Sequence, residues 1–148
     1  GKIDEMRVAV GSDHAGYPLK QQMAEYLRKE GYHVVDVGTN SEAPVDYPDF
    51  GKALADAIAS GKAEKGVAVC GTGIGISIAV NRNPKVRAAL VHDETSARLT
   101  RQHNDANVIA FGQRLIGTEV ARGALKVFLS TAFEGGRHAG RVAKLSRE

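Results

Sequence analysis

The chain has 148 residues, 43% hydrophobic and 25% charged, with a formal net charge of +3 and one cysteine. A domain of this length buries a core without staples; the lone cysteine excludes an intrachain disulfide and fits a reducing cytoplasm. The charge is too modest for a nucleic-acid-binding face, and no apolar run approaches the ~20 residues of a membrane span.

Residues 1–5 contain no apolar stretch of the signal-peptide kind, and they are open to reading as an addition ahead of Met6. Residues 7–10 are a short apolar run and predict a first strand, ended by Gly11. From 17 to 29, Leu19, Met23, Tyr26 and Leu27 recur at helical spacing. Pro18 suits the first turn of that helix and Gly31 its end. Residues 33–37 predict a second strand, closed by Gly38. A polar loop runs to Tyr47, and Pro48 opens a helix that carries Phe50, Leu54, Ala57 and Ile58 and stops at Ser60-Gly61. A third strand, 66–70, feeds a helix over 74–80 through a run of glycines. Next come a strand at 87–91, a helix at 93–102, a strand at 107–111, a helix at 119–128 and, after Gly135-Gly136, a last helix at 138–145.

This alternation predicts right-handed crossovers and a buried parallel sheet. The expected architecture is a single α/β domain over 1–148, a three-layer αβα sandwich with a Rossmann-like five-stranded parallel sheet. Ligands of such sheets lie beyond the carboxyl ends of the strands. Asp13 and His14, the segment from Cys70 to Gly75, and Arg114 all fall there.

Cys70-Gly71-Thr72-Gly73-Ile74-Gly75 carries the most chemistry. Its glycines let backbone N–H groups converge without Cβ obstruction, and it opens a helix whose N-terminal end attracts anions. A cysteine at such an entrance is placed to work as a thiolate. The bland alternative is a tight turn beside a small buried thiol. Ile76 stands where a dinucleotide fingerprint needs its last glycine, and neither a P-loop nor a cysteine-phosphatase arginine is present. Asp13-His14 reads equally as turn chemistry or as a sugar and phosphate contact. His103, in the segment 101–107, reads as a solvated residue at a helix end or as a proton shuttle near neutral pH. Arg137 and Arg141 are four apart and share a helix face, which suits a phosphate; with His138, Lys144 and Arg147 they form a basic tail. His14, His33, His92, His103 and His138 show no metal-ligand spacing with the cysteine, so no metal site is expected.

Several segments together resemble one family: 11–16, Asp46-Tyr47-Pro48, 70–79, 101–104 and 134–138. The chain resembles type B ribose-5-phosphate isomerases and the galactose-6-phosphate isomerase subunits related to them, in the branch whose base is a cysteine. The branch with a glutamate base would carry it at Ile76. The resemblance implies an aldose–ketose isomerase without metal or organic cofactor. It implies Cys70 as the base that moves a proton between C1 and C2, and His103 as the group that opens the sugar ring. Thr72 and the amides of Gly71, Gly73, Ile74 and Gly75 would hold the enediolate. Asp13, Tyr47 and Asn104 would contact the sugar, and His14, Arg114, Arg137 and Arg141 the phosphate. It further implies a homodimer or tetramer with the site between two subunits. The expected substrate is D-ribose 5-phosphate, with allose 6-phosphate, galactose 6-phosphate or a tetrulose phosphate as alternatives. A non-catalytic module that binds a phosphorylated metabolite remains a reading from another class.

Overall fold

A computed structural model describes residues 6–146; residues 1–5 and Arg147 of the basic tail lie outside the described residues. The elements are β1 (Arg7–Ser12), α1 (Tyr17–Lys29), β2 (His33–Gly38), α2 (Tyr47–Ala59), β3 (Lys65–Cys70), α3 (Ile74–Val80), β4 (Ala88–Leu90), α4 (Glu94–Asn104), β5 (Val108–Gly112), α5 (Thr118–Ser130) and α6 (Arg137–Leu145). All strand pairs are parallel, in the order β2-β1-β3-β5-β4. Among the described residues, no helix is long and apolar enough to cross a membrane.

Strand order and handedness together fix the layers. Steps from β1 to β2 and from β4 to β5 run one way across the sheet, and the other two run back. Right-handed crossovers therefore put α1 and α4 on one face and α2 and α3 on the other. The packing agrees: α5 joins α1 and α4, while α2 packs on α3. Side chains alternate between the faces along each strand. Val8, Val10, Val67, Val69, Ile109 and Phe111 meet Leu19, Met23, Leu27, Leu125 and Phe128. Ala9, Ala68, Cys70 and Ala110 meet Leu54, Ile76 and Val80 on the side of α2 and α3. The strands put smaller side chains there, so α2 and α3 lie close over the sheet.

Boundaries shift by a residue or two at most elements, and three of the shifts have a local cause or consequence. β4 is three residues long rather than five, because the Asn107 side chain accepts the Arg87 N–H at 2.8 Å in place of a ladder bond. α2 begins at Tyr47, one residue early, which puts its ring on the first turn. α4 runs on to Asn104, where Asp105 takes a left-handed φ of 47° and ends it. His103 and Asn104 therefore lie in the last helical turn.

Candidate functional site

Cys70 ends β3 in the middle of the sheet. The chain leaves it toward α3 on one face, whereas β1 and β5 on either side send theirs to α1 and α5 on the other. The divergence opens a crevice at the carboxyl edge. Backbone bonds tie its walls together: Asp13 N–H donates to Val69 O (3.3 Å), Gln113 N–H to Cys70 O (2.9 Å) and Arg114 N–H to Gly71 O (3.0 Å). The Gln113 side chain then accepts the Leu19 N–H at 2.8 Å, which fixes the start of α1 against the loop that carries Arg114.

Cys70 is buried, and its sulfur accepts the Gly73 N–H at 3.1 Å. Gly73 reaches this place with φ +77°, packed on the Phe111 backbone. The Gly75 amide opens α3 and has no helical carbonyl before it to bond. It belongs to a partly exposed residue and is a donor placed to face an oxyanion. Ile74 N–H instead donates to Thr72 Oγ1 (3.2 Å). Ile76 itself is fully buried in the core, so the position that a glutamate base would need is closed to solvent here.

The remaining groups of this edge surround the loop. The Arg114 guanidinium lies over Gly71, and the Tyr47 ring lies against Gly75. Asp13 is buried and its Oδ1 accepts the Gly16 N–H at 3.0 Å, so the Asp13-His14 turn is held from within. His14 Nδ1 lies 3.0 Å from Val45 N and 3.2 Å from Val45 O, so the Val45 backbone holds the ring in either tautomer and leaves Nε2 without a partner among the described residues.

The structure does not bring His103, Asn104, Arg137 and Arg141 to this place. α4 runs back along the sheet, so its last turn lies at the amino edge, just before β5 begins at Val108 beside Gly66. Gly66 is four residues before Cys70 on β3, roughly 13 Å along the strand. Glu134 and His138, which belong to a quoted segment but received no role from it, join His103 there. His103 and His138 stack with ring centroids 4.4 Å apart and 20° between planes. Glu134 Oε1 is 3.5 Å from His138 Nε2. Arg137 and Arg141 both lie exposed on α6, as their spacing predicts.

Arg101 builds this second cluster. Its buried guanidinium donates to Asp105 Oδ1 (2.8 Å), Ala106 O (2.8 Å) and Thr131 O (3.0 Å). Glu134 N–H donates to Gln102 O (3.1 Å), so the approach to α6 is pinned to the end of α4. The edge is rich in positive charge. Burial and then the Arg101 charge hold Lys65 below its ordinary value. Burial first, and His103 and Arg137 next, hold His138 below 6.5, outweighing Glu134. Chain spacing showed no metal signal, yet His103, Glu134 and His138 offer ligand atoms within 4.8 Å of one another. They come from two helices and a loop up to 35 positions apart (138 − 103), a distance no local motif reports.

A family model described as Ribose/Galactose Isomerase matches residues 8–145. The chain is 48% identical to a solved ribose-5-phosphate isomerase B of Clostridium thermocellum, with a TM-score of 0.94 and 95% of each chain covered. It is 42% identical over 140 residues to ribose-5-phosphate isomerase B of Escherichia coli, covering 95% of this chain and 94% of that protein. It is 41% identical over 142 residues to a D-erythrulose-4-phosphate isomerase of Pectobacterium atrosepticum, covering 95% and 93%. With a fold, a thiol–amide loop and a matched span that all agree, the chain belongs to the Ribose/Galactose Isomerase family of sugar-phosphate isomerases.

Proposed function

We propose that the protein interconverts D-ribose 5-phosphate and D-ribulose 5-phosphate through a cis-enediolate. The observation that carries the reading is the Cys70 sulfur at the carboxyl end of β3, receiving the Gly73 N–H at 3.1 Å beside the free helix-opening amide of Gly75. The reaction needs a base, an oxyanion stabiliser and a phosphate anchor. Cys70 takes the proton from C2 of the open-chain aldose and returns it to C1 of the enediolate. The Gly75 amide and Thr72 face the oxygen on which charge develops; one such donor is typically worth about 2.7–4 kcal/mol. His14 and Arg114 lie at the same edge and suit the phosphate, whose remote binding energy positions the reacting carbons.

Ring opening needs a second proton-transfer group, and His103 is the candidate. Within one chain it is at the wrong end of the sheet. We therefore assign a homodimer in which the His103, Asn104, Arg137 and Arg141 cluster of one copy faces the Cys70 crevice of the other. Cys70→Ala is expected to lower turnover by about 10²–10⁴-fold, the usual share of a general base, without loss of folding. Near-normal turnover in that variant would remove the thiol from the mechanism.

The second reading keeps the reaction and changes the sugar. The likeness to a D-erythrulose-4-phosphate isomerase is nearly as close as that to a ribose-5-phosphate isomerase. Rates on ribose 5-phosphate, a tetrulose phosphate, allose 6-phosphate and galactose 6-phosphate decide between them. A pentose phosphate slower than one of the others overturns the first. Binding without solvent-proton exchange at C2 would instead mark a non-catalytic module.

A further inference from the structure

We propose that His103, Glu134 and His138 form a binding site for a divalent transition metal of the zinc class, and that metal held there withdraws His103 from the reaction. The second half rests on the role given to His103 above; the first does not.

The donor set is two imidazoles and one carboxylate, which suits zinc and its neighbours rather than magnesium or calcium. All three belong to one chain, and their ligand atoms lie within 4.8 Å of one another. A tetrahedral zinc with bonds of about 2.0–2.1 Å needs them roughly 3.4 Å apart, so the group must tighten, and the His103 ring must turn out of its stack on His138, because an imidazole ligates in its own plane. The parts that must move are free to: Glu134 is half exposed and His103 only partly buried. The part that is fixed is His138. Its residue is 7% exposed, and its buried Nε2 has no hydrogen-bond partner among the described residues. Such a nitrogen needs an occupant. Glu134 Oε1 at 3.5 Å is too far to be a hydrogen bond but is a neighbour from which to share a metal.

The frame around the three is built before any ligand arrives. Arg101 holds Thr131 O, and Gln102 O holds Glu134 N–H, so the chain that carries Glu134 is fastened to the helix that carries His103. A cavity of about 320 Å³ lined by His103, Asn104, His138, Arg141, Val142 and Leu145 lies beside the two histidines and admits water to them, though Glu134 is not among its walls. Arg137 and Arg141 oppose a cation. Both are exposed, so solvent screens them, and they weaken the site without closing it. Because His103 spends a ring nitrogen on the metal, that nitrogen is lost to proton transfer.

The test uses tag-free, metal-stripped protein and zinc chloride against a chromogenic zinc indicator. One zinc per chain is expected. Glu134→Gln and His138→Gln should each weaken binding by at least about tenfold, with circular dichroism confirming that both fold. Glu134→Gln alters a half-exposed side chain and keeps the test valid if His138→Gln fails to fold. Cys70→Ala should bind zinc as the parent does. Cobalt in place of zinc should show the intense visible bands of a four-coordinate ion and no thiolate charge-transfer band. No binding at millimolar zinc, undiminished binding by Glu134→Gln, or loss of binding in Cys70→Ala overturns the site. In the same titration, isomerase activity should fall with the zinc dependence of binding. Zinc bound with activity untouched overturns the withdrawal of His103 and counts against its part in the reaction, while a failure to bind leaves that part standing.

Discussion

Gly73 and Gly75 are two positions apart, yet an added methyl meets different neighbours at each. At Gly73 it would lie 2.7 Å from the Phe111 carbonyl carbon and 2.6 Å from a Leu90 methyl, on a backbone with φ +77°. A left-handed alanine alone costs roughly 1–2 kcal/mol, and the Phe111 backbone cannot retreat without opening the β3–β5 ladder. Gly73→Ala should lower stability in urea by at least that amount, and activity should fall with it as the N–H to Cys70 moves. At Gly75 the methyl meets only the Tyr47 ring, at 2.8 Å, and that residue is 42% exposed. The ring can swing out. Gly75→Ala should leave stability unchanged or raise it by about 0.4–1 kcal/mol, while KM for the sugar phosphate rises because Tyr47 is displaced. A KM that stays unchanged would remove Tyr47 from the sugar contact. The glycine-rich loop and its cysteine were legible in the sequence because their residue types permit little else. The unequal parts of the glycines were not, since each is set by what packs on it from α2, β4 and β5.

The stripe of α1 shows the same limit over a whole helix. Apolar spacing picked out Leu19, Met23, Tyr26 and Leu27, but the buried face is Leu19, Lys20, Met23, Ala24 and Leu27. The stripe is turned so that Tyr26 lies at its margin and a lysine lies wholly inside. Lys20 Nζ donates to Asp36 at 2.8 and 3.0 Å and to Thr39 O at 2.6 Å. Asp36 also accepts the Gly38 N–H at 2.9 Å. This buried cation therefore fastens the end of β2 and the start of the loop that runs through Val45 to Tyr47, and Val45 in turn sets the His14 ring. No hydropathy pattern reveals a lysine whose partner comes from a strand 16 positions on (36 − 20). Removing one partner of a buried pair typically costs about 3–5 kcal/mol, and Asp36 is a quarter exposed, so the lower end applies. Lys20→Met should lose about 3 kcal/mol in urea unfolding. It should also raise KM through the loosened His14 and Tyr47. Asp36→Asn should lose at least as much, because it leaves the wholly buried Lys20 ammonium without its counter-charge. A clearly smaller loss in Asp36→Asn would mean that the loop is held by something other than this pair.

β-strand direction divides the expected site across the molecule. Residues that follow the carboxyl ends of β1, β3 and β5 gather around Cys70, while those at the end of α4 and on α6 gather at the amino edge around His103. Element order alone already contains this division, because a helix after a parallel strand must carry the chain back to the start of the next. The family resemblance puts the expected site between two subunits, but no local pattern in the sequence encodes which surface of a second copy would complete it. The division makes the composite site testable without a structure of the dimer. Cys70→Ala and His103→Asn should each be inactive alone, for each spoils both sites of its own homodimer. Mixed one to one and allowed to exchange subunits, half of the two-fold dimers are mixed. In a mixed dimer one site receives both spoiled residues and the other receives neither. About one quarter of the parental activity should therefore return, half the dimers times half their sites. It should return at the rate of subunit exchange and only above the concentration at which dimers form. If Cys70 and His103 served one site within a single chain, no mixture of the two variants would recover any activity, and the crevice at Cys70 would have to find its ring-opening group elsewhere.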